Sequence, residues 1–341
     1  MSLKLIRRFP MRIAVTVSAV AAIVACVFSC TRTDYKSAGP AEKVTIAYSA
    51  TTESVLAEVA QMQGYYRQEG LEAIPRKHPF GKPALEDVLA GKADFATVAE
   101  TPVMFAIMRG EKISVIATIE SSRKGNAIIA RKDRGILAFK DLKGKSIGVT
   151  LGTVSDFFAD AILVLNGISR KDVKVVDLKA EKIAEALANG DIDAASTFNP
   201  YTIYAQKKLG GSGVTFQDES IYTWTFNVVA RQEFIRNNPE KVKKLLRALV
   251  RAEDFVGRNT AEAQRIVADF SGIDVAIVRD AWTGTNFGVS LDQSLLLSLE
   301  DESQWAINGG IARNTRVPNY LDFIYIDGLK SVKPEAVRIL R

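Results

Sequence analysis

The sequence predicts an α/β protein of two lobes, each an open sheet covered by helices. Three observations lead there. Short β-rich runs alternate with helical runs from residue 43 onward. The alternation starts afresh at Ser146. A short apolar strand ending in Ala-Arg occurs twice, bracketing that second run. Strands alternating with helices imply a sheet whose two faces are both packed.

In chain order, Val44-Thr45-Ile46-Ala47-Tyr48 is the first strand. Val55, Leu56, Val59, Met62 and Tyr66 recur at helical spacing, and that helix stops before Gly70. An extended run ends near His78, residues 83–90 read as a helix, and Phe95 to Val98 as a strand. Pro102 to Arg109 is a helix stopped by Gly110, and Ser114 to Ile119 returns as a strand. The second run opens at Ser146-Ile147-Gly148-Val149. It passes through a helix at Phe157 to Leu165, a strand at Val173 to Leu178, a helix at Ile183 to Asn189 and a strand at Ala194 to Phe198. After residue 230 the chain reads as mainly helical, with helices from Asn238-Pro239-Glu240 through Leu249 and near 261–270, 274–282 and 291–307. The repeated segments are Asn126-Ala127-Ile128-Ile129-Ala130-Arg131 and Asn227-Val228-Val229-Ala230-Arg231. They read as two antiparallel strands joining the lobes. The expected boundaries are 43–130 for the first part of lobe 1, 131–227 for lobe 2 and 228–341 for the return to lobe 1.

The first thirty residues read as an export signal. Lys4, Arg7, Arg8 and Arg12 precede an apolar run from Ile13 to Phe28, and the chain turns polar at Thr31. A retained anchor helix is the alternative, since the run approaches membrane-spanning length. Both cysteines, Cys26 and Cys30, follow small residues at the end of this run, which resembles a lipidation site at one or the other. The bland alternative is two apolar cysteines in a signal that is removed. Residues 31–42 read as a flexible tether. With no cysteine after Cys30, the folded part has no disulfide and no thiolate metal site. Four positive charges of the net +6 lie in the signal, so the rest is near neutral. This gives no support to nucleic-acid binding.

The strand-to-helix junctions carry the candidate chemistry. They are Ser49, Thr51 and Thr52; Phe80-Gly81-Lys82-Pro83; Glu100-Thr101-Pro102; Thr150-Leu151-Gly152-Thr153-Val154-Ser155-Asp156; and Asn199-Pro200-Tyr201. Each serves as a helix start, and Thr153 with Asp156 approximates a capping box. In an open parallel sheet these junctions share one edge, where ligands bind. The helix N-termini there present free N–H groups that suit an anion. Thr51, Thr52, Thr150 and Thr153 add hydroxyls, and Lys82 adds a cation unless it is solvated. Glu100 would either hold the amino group of a zwitterion or face solvent. Tyr48, Phe80, Tyr201 and Trp224 are candidate walls, with Trp224 placed to border the cleft and core packing the default for the other three. Enzyme readings lack parts: His78 is the only histidine and reads as a solvated loop residue, and no serine sits in a G-x-S-x-G turn. Gly144-Lys145-Ser146 ends like a phosphate loop, but residue 139 is Phe where that motif needs Gly.

Four ordered segments between residues 43 and 331 carry a family resemblance. Gly64-Tyr65-Tyr66-Arg67-Gln68-Glu69-Gly70-Leu71 and Ala90-Gly91-Lys92-Ala93-Asp94-Phe95 are two of them. The others are Phe139 to Val149, with its Asp141-Leu142-Lys143-Gly144-Lys145 core, and Gly190-Asp191-Ile192-Asp193-Ala194 with Asn199-Pro200-Tyr201. Together they resemble the nitrate/sulfonate/taurine-type solute-binding proteins of ABC importers, which include sulfonate-binding and thiamine-precursor-binding groups. The resemblance implies a type II periplasmic-binding-protein fold, whose two lobes close over a small anionic or zwitterionic molecule. It also implies a membrane permease and its ATPase as partners. The signal and its cysteines place the chain, lipid-anchored, in the periplasm or on the outer face of the cytoplasmic membrane, and a monomer is expected because closure needs both lobes free. No cofactor or metal is expected. By position its ligand loops fall on Ser49 to Thr52, Gly81-Lys82, Glu100-Thr101, Thr150 to Thr153 and Asn199, with Trp224 beside them. Glu100 departs from the small residues of sulfonate binders. A ligand-sensing domain is the alternative function. A thiamine-pyrimidine enzyme is a third, short of the histidine and cysteines that such relatives use.

Overall fold

The computed structural model describes residues 40–340, so the signal, lipidation and most of the tether readings lie outside the described residues. The chain first forms β1 (Glu42–Ser49), α1 (Val55–Met62), α2 (Tyr65–Gln68), β2 (Leu71–His78), α3 (Gly81–Leu89), β3 (Phe95–Ala99), α4 (Glu100–Met108) and β4 (Ile113–Ser122). It then builds β5 (Ala127–Arg131), β6 (Ser146–Val149), α5 (Val154–Leu165), β7 (Lys174–Asp177), α6 (Ala180–Asn189), β8 (Ala194–Thr197), α7 (Tyr201–Leu209) and β9 (Gly213–Phe216). The return segment holds β10 (Trp224–Arg231), α8 (Gln232–Asn237), α9 (Pro239–Arg258), α10 (Thr260–Ser271) and α11 (Val275–Trp282). It ends with β11 (Thr285–Asp292), α12 (Gln293–Asn308), α13 (Ile326–Val332) and β12 (Val337–Arg338).

These strands make two mixed sheets. The first has the order β12-β11-β4-β10-β3-β1-β2, and the second β7-β6-β8-β5-β9. In the first, β1 runs parallel to β2 and β3, and β10 is antiparallel to β3 and β4. In the second, β6 runs parallel to β7 and β8, and β5 is antiparallel to β8 and β9. Side chains alternate across a strand, and β5 shows the consequence. Ile128 and Ala130 join one buried cluster with Phe158 and Ile162 of α5, while Ala127 and Ile129 join another with Ile183 and Leu187 of α6. Both faces of the second sheet are therefore core.

Two readings are corrected. The Ala-Arg strands do not pair with each other: β5 lies in the second sheet and β10 in the first. They look alike because each is the antiparallel strand laid beside the third parallel strand of its own sheet. The chain thus leaves the first sheet after Ser122 and re-enters it at Trp224. The return segment is mainly helical, as expected, but holds one strand that the spacing does not predict. Residues 285–292, TNFGVSLD, form β11 against β4, because a buried edge there is available to a segment that alternates only weakly. The amphipathic helix does form, as α9: Val242, Leu245, Leu246 and Leu249 are buried on one stripe, and Pro239 occupies its first turn.

Candidate ligand-binding site

The carboxyl edges of the two parallel strand sets face one another, and local backbone needs explain the residues there. Helix α3 begins at Gly81, where a Cβ would lie 2.9 Å from Cα of Val98. Only glycine lets that helix start so close to β3. Helix α5 is capped by Thr153, whose Oγ1 accepts from Ser155 N at 3.3 Å and donates to Thr150 O at 2.7 Å. Asp156 completes the cap from a different angle than a capping box, accepting from Gly152 N at 2.9 Å.

Between these starts lies a small, partly open chamber of about 30 Å³. Its walls come from both lobes: Phe80, Ala99, Pro102 and Phe226 from the first, Thr153, Val154 and Phe198 from the second, with Trp224 where the chain re-enters the first sheet. Its polar groups are few: the Glu53 carboxylate, the Lys82 ammonium, Asn126 and Thr153. The lobes touch around it. Lys82 Nζ donates to Leu151 O at 2.9 Å, and Tyr201 Oη donates to Pro79 O at 2.8 Å. Phe80 and Phe198 meet across the gap with ring centroids 6.3 Å apart. Outside the chamber Trp305 of α12 donates to Asp160 of α5 at 2.8 Å.

Of the expected ligand residues, Gly81, Lys82, Thr153 and Trp224 line this chamber. The others are placed elsewhere. Ser49 donates its N–H to Thr97 Oγ1 at 2.9 Å and shares a hydroxyl contact with Thr51, and Thr52 is buried beside them. Thr51 in turn donates to Glu53 Oε2 at 2.6 Å. Thr150 Oγ1 donates to Leu178 O at 2.8 Å, so it ties the loop before α5 to the residue that follows β7. Gly152 borders a neighbouring crevice with Lys82, Arg109 and Arg170. Asn199 accepts from Thr202 and lines a crevice on the far side, beside Lys124 and Gly125. Among the expected walls, Tyr48 is core against Phe270, and Tyr201 is buried at the lobe contact. His78 is not a loop residue: it ends β2 and pairs with Asp87 at 2.9 Å.

Glu100 takes neither of its expected places. It is fully buried at the start of α4, where Oε2 accepts from Thr225 N at 2.8 Å. Burial pushes it up to about 7, against the hydrogen bonds that favour its charge. Glu302 of α12 faces it and is likewise raised, by burial and by the charge of Glu100. Thr101 donates to Glu302 at 2.8 Å, so this pair fastens α12 to α4.

Sequence reasoning missed Glu53, Asn126, Phe198 and Phe226. Glu53 was visible in the same junction as Thr51 and Thr52, one residue beyond the hydroxyls. Burial pushes Glu53 up to about 8, against the Thr51 hydroxyl, and the charge of Glu100 adds to the rise. Asn126 lies in the crossing segment between β4 and β5, and its Oδ1 has no hydrogen-bond partner among the described residues.

Residues 52–263, more than half of the chain, match the family model described as NMT1/THI5 like. The chain belongs to the NMT1/THI5-like family. Its relatives include a candidate aliphatic sulfonates-binding protein of Bacillus subtilis strain 168, 25% identical over 244 residues, 71% of this chain and 73% of the relative. The taurine-binding periplasmic protein of Escherichia coli K12 is 27% identical over 218 residues, 62% of this chain and 66% of its own. Among solved structures, the alkanesulfonate-binding protein SsuA of Xanthomonas axonopodis pv. citri, bound to MOPS, matches at a TM-score of 0.74 and 18% identity. The match covers 84% of this chain and 98% of SsuA. That likeness shows the fold of this NMT1/THI5-like chain, the periplasmic-binding-protein fold expected from the sequence.

Proposed function

We propose that this chain is the extracytoplasmic solute-binding component of an ABC importer. It closes its lobes over a small anionic or zwitterionic organic molecule and delivers it to a membrane permease and its ATPase. One observation carries the reading: the chamber is walled by both lobes and bridged by the Lys82–Leu151 and Tyr201–Pro79 hydrogen bonds. A solute held there would contact both lobes at once, and its binding would stabilise their contact. The apolar rings supply the body of the site and a few polar groups orient the ligand, as small-molecule sites commonly do. Gly81, Lys82, Thr153 and Trp224 are the proposed ligand residues from the sequence, joined by Glu53, Asn126, Phe80 and Phe198. The related binding proteins support transport as the role, and anchoring through Cys26 or Cys30 belongs to the same proposal.

The test is a thermal-shift screen of residues 31–341 against alkanesulfonates, taurine, nitrate and aromatic carboxylates. Ligand at a hundred times its dissociation constant adds about 2.7 kcal/mol of stability. A hit that is weakened in Phe198→Ala and contracts the scattering radius supports the reading. If no small solute shifts the melting temperature or the radius, the transport reading is wrong.

A further inference from the structure

The chamber differs from a simple anion site in one respect. Two of its buried side chains present acceptor oxygens without a partner among the described residues. Glu53 is 6% exposed, and only one of its oxygens, Oε2, takes a hydrogen bond among the described residues, from Thr51. Asn126 is 5% exposed and its Oδ1 is unpartnered there. Both side chains line the same chamber. Behind Glu53 the first lobe buries Glu58, Glu100 and Glu120, and no salt bridge reaches any of the four carboxyls among the described residues. The chamber's cation, Lys82, already spends one N–H on Leu151 O. An anion placed against Glu53 would need the carboxyl to stay protonated, which leaves it a single O–H to offer. A group with several N–H donors would satisfy Glu53 Oε1 and Asn126 Oδ1 together, and buried acceptors left unpaired are costly.

We propose that Glu53 and Asn126 form an anchor for an amino or other cationic nitrogen group, so that the solute is an amine or zwitterion and not a simple anion. This deepens the transport reading and rests on its chamber. In a zwitterion the acidic end lies towards Lys82 and the start of α5 at Thr153 and Val154, where backbone N–H groups are free of helical partners. The aromatic walls Phe80, Phe198, Trp224 and Phe226 take the apolar body, and a cation beside such rings gains further attraction.

Proton linkage separates the two kinds of ligand. Burial holds the free Glu53 up to about 8. An ammonium group favours the ionised carboxylate and expels the proton, while an anion favours the protonated form. The groups facing Glu53 are Thr51 on its own loop, Glu58 of α1, Glu100 of α4, Glu120 of β4, Lys82 of α3 and Tyr201 of α7.

The experiment is titration calorimetry with matched pairs that differ at one group: taurine against isethionate, and 4-(aminomethyl)benzenesulfonate against 4-methylbenzenesulfonate. Runs at pH 7 in phosphate and in Tris report protons exchanged on binding. The expected result is that the amino member of a pair binds at least tenfold tighter and releases protons. Glu53→Gln should remove that preference while the variant melts as the parent does, and Asn126→Asp in the Glu53→Gln background should restore it. If the non-amino member binds as tightly and takes up protons, the anchor is wrong and the chamber stands. If no member of either pair binds and the wider screen is also silent, the chamber reading falls and the anchor with it.

Discussion

The two lobes are built on one plan and differ in how they treat charge. In each, a strand is followed by a junction and a helix, then a second strand and helix, then a third strand parallel to the first. The correspondence reaches single hydrogen bonds. In lobe 1 Asp94 Oδ2 accepts from Thr45 N at 2.8 Å, and Asp94 N donates to Thr45 O at 2.9 Å. In lobe 2 Asp193 Oδ2 accepts from Ser146 N at 2.9 Å, and Asp193 N donates to Ser146 O at 3.1 Å. The arginines ending β10 and β5 sit over equivalent glycines: Arg231 approaches Gly91, and Arg131 approaches Gly190. At the junctions the plans diverge. Counting from Ser49 and Thr150, Glu53 stands where lobe 2 has Val154. Lobe 2 neutralises its buried Asp156 and Asp160 with Arg170, at 2.8 Å from each. Lobe 1 buries Glu53, Glu100 and Glu302 without such a partner among the described residues. The shared plan supplies the fold, and the departures supply the site.

The largest expected effect tests whether the shared plan is energetically shared. Asp94→Ala and Asp193→Ala should each cost about 3 kcal/mol, because a charged acceptor is lost and a strand N–H is left unpaired. Asp193 carries the added Ser146 hydroxyl at 2.8 Å, so its variant should be the less stable of the two. Urea unfolding of both variants checks this. A cost confined to one lobe would mean the correspondence is geometric only.

Next in size is the charge difference. Glu100 and Glu302 are raised by burial and favour the protonated form in the folded chain. A folded pKa above the unfolded one means that folding takes up protons in that interval. Stability from Glu100 is therefore fully present below about pH 4.5 and declines until its folded value of about 7 is passed. Glu53 extends the decline to about 8. Glu302→Gln should flatten the melting temperature between pH 5 and 8 and raise stability at pH 8. Arg170→Gln, on the other lobe, should instead destabilise at pH 8, since it strands two aspartates. An unchanged pH profile in Glu302→Gln would remove the acid pair from the account.

How far this was readable beforehand follows from range. The strand–helix order, the parallel sets and the four family segments rest on local spacing, and the structure places them as expected. The aspartates of Ala90-Gly91-Lys92-Ala93-Asp94 and Gly190-Asp191-Ile192-Asp193 read as family marks, and in the structure they are one device used twice. The Ala-Arg echo reads as two antiparallel strands joining the lobes, because sequence cannot say which sheet a buried strand joins. Glu100 looked like a charge at a helix start; what buries it is Thr225, distant in sequence and adjacent in the sheet. Glu53, Asn126 and Phe198 converge only when the lobes meet, and no periodicity encodes that. Strand β11 was missed for a like reason, since its partner β4 decides it.

A third test compares two glycines. At Gly81 a Cβ would meet the backbone of β3, 2.9 Å from Val98 Cα and 3.3 Å from Thr97 O. At Gly148 it would meet Ile192 Cδ1 at 2.6 Å, the tip of a side chain that can turn away. Gly81→Ala should cost about 1–2 kcal/mol and Gly148→Ala less than about 1 kcal/mol, since overpacking is expensive where backbone must yield. Thermal melts at one pH decide it, and equal costs would show that Ile192 is as firmly held as β3.

The smallest effect concerns the contact between the lobes. Trp305 donates to Asp160 at 2.8 Å and packs edge-on against Phe157, with centroids 5.3 Å apart. Trp305→Phe keeps an aromatic ring there and removes the N–H, a loss of less than about 1 kcal/mol for an exchangeable hydrogen bond. Most of the buried clusters, including two wholly within lobe 2, are untouched by this change, so global unfolding should move little. The lobe contact should loosen instead: in the absence of ligand the scattering radius should rise, and ligand should bind several-fold more weakly through faster release. Such a split, with opening altered and unfolding nearly unchanged, identifies Trp305 as a latch between lobes. A melting temperature that falls in step with the affinity would place Trp305 in the core of lobe 1, leaving closure to Lys82 and Tyr201.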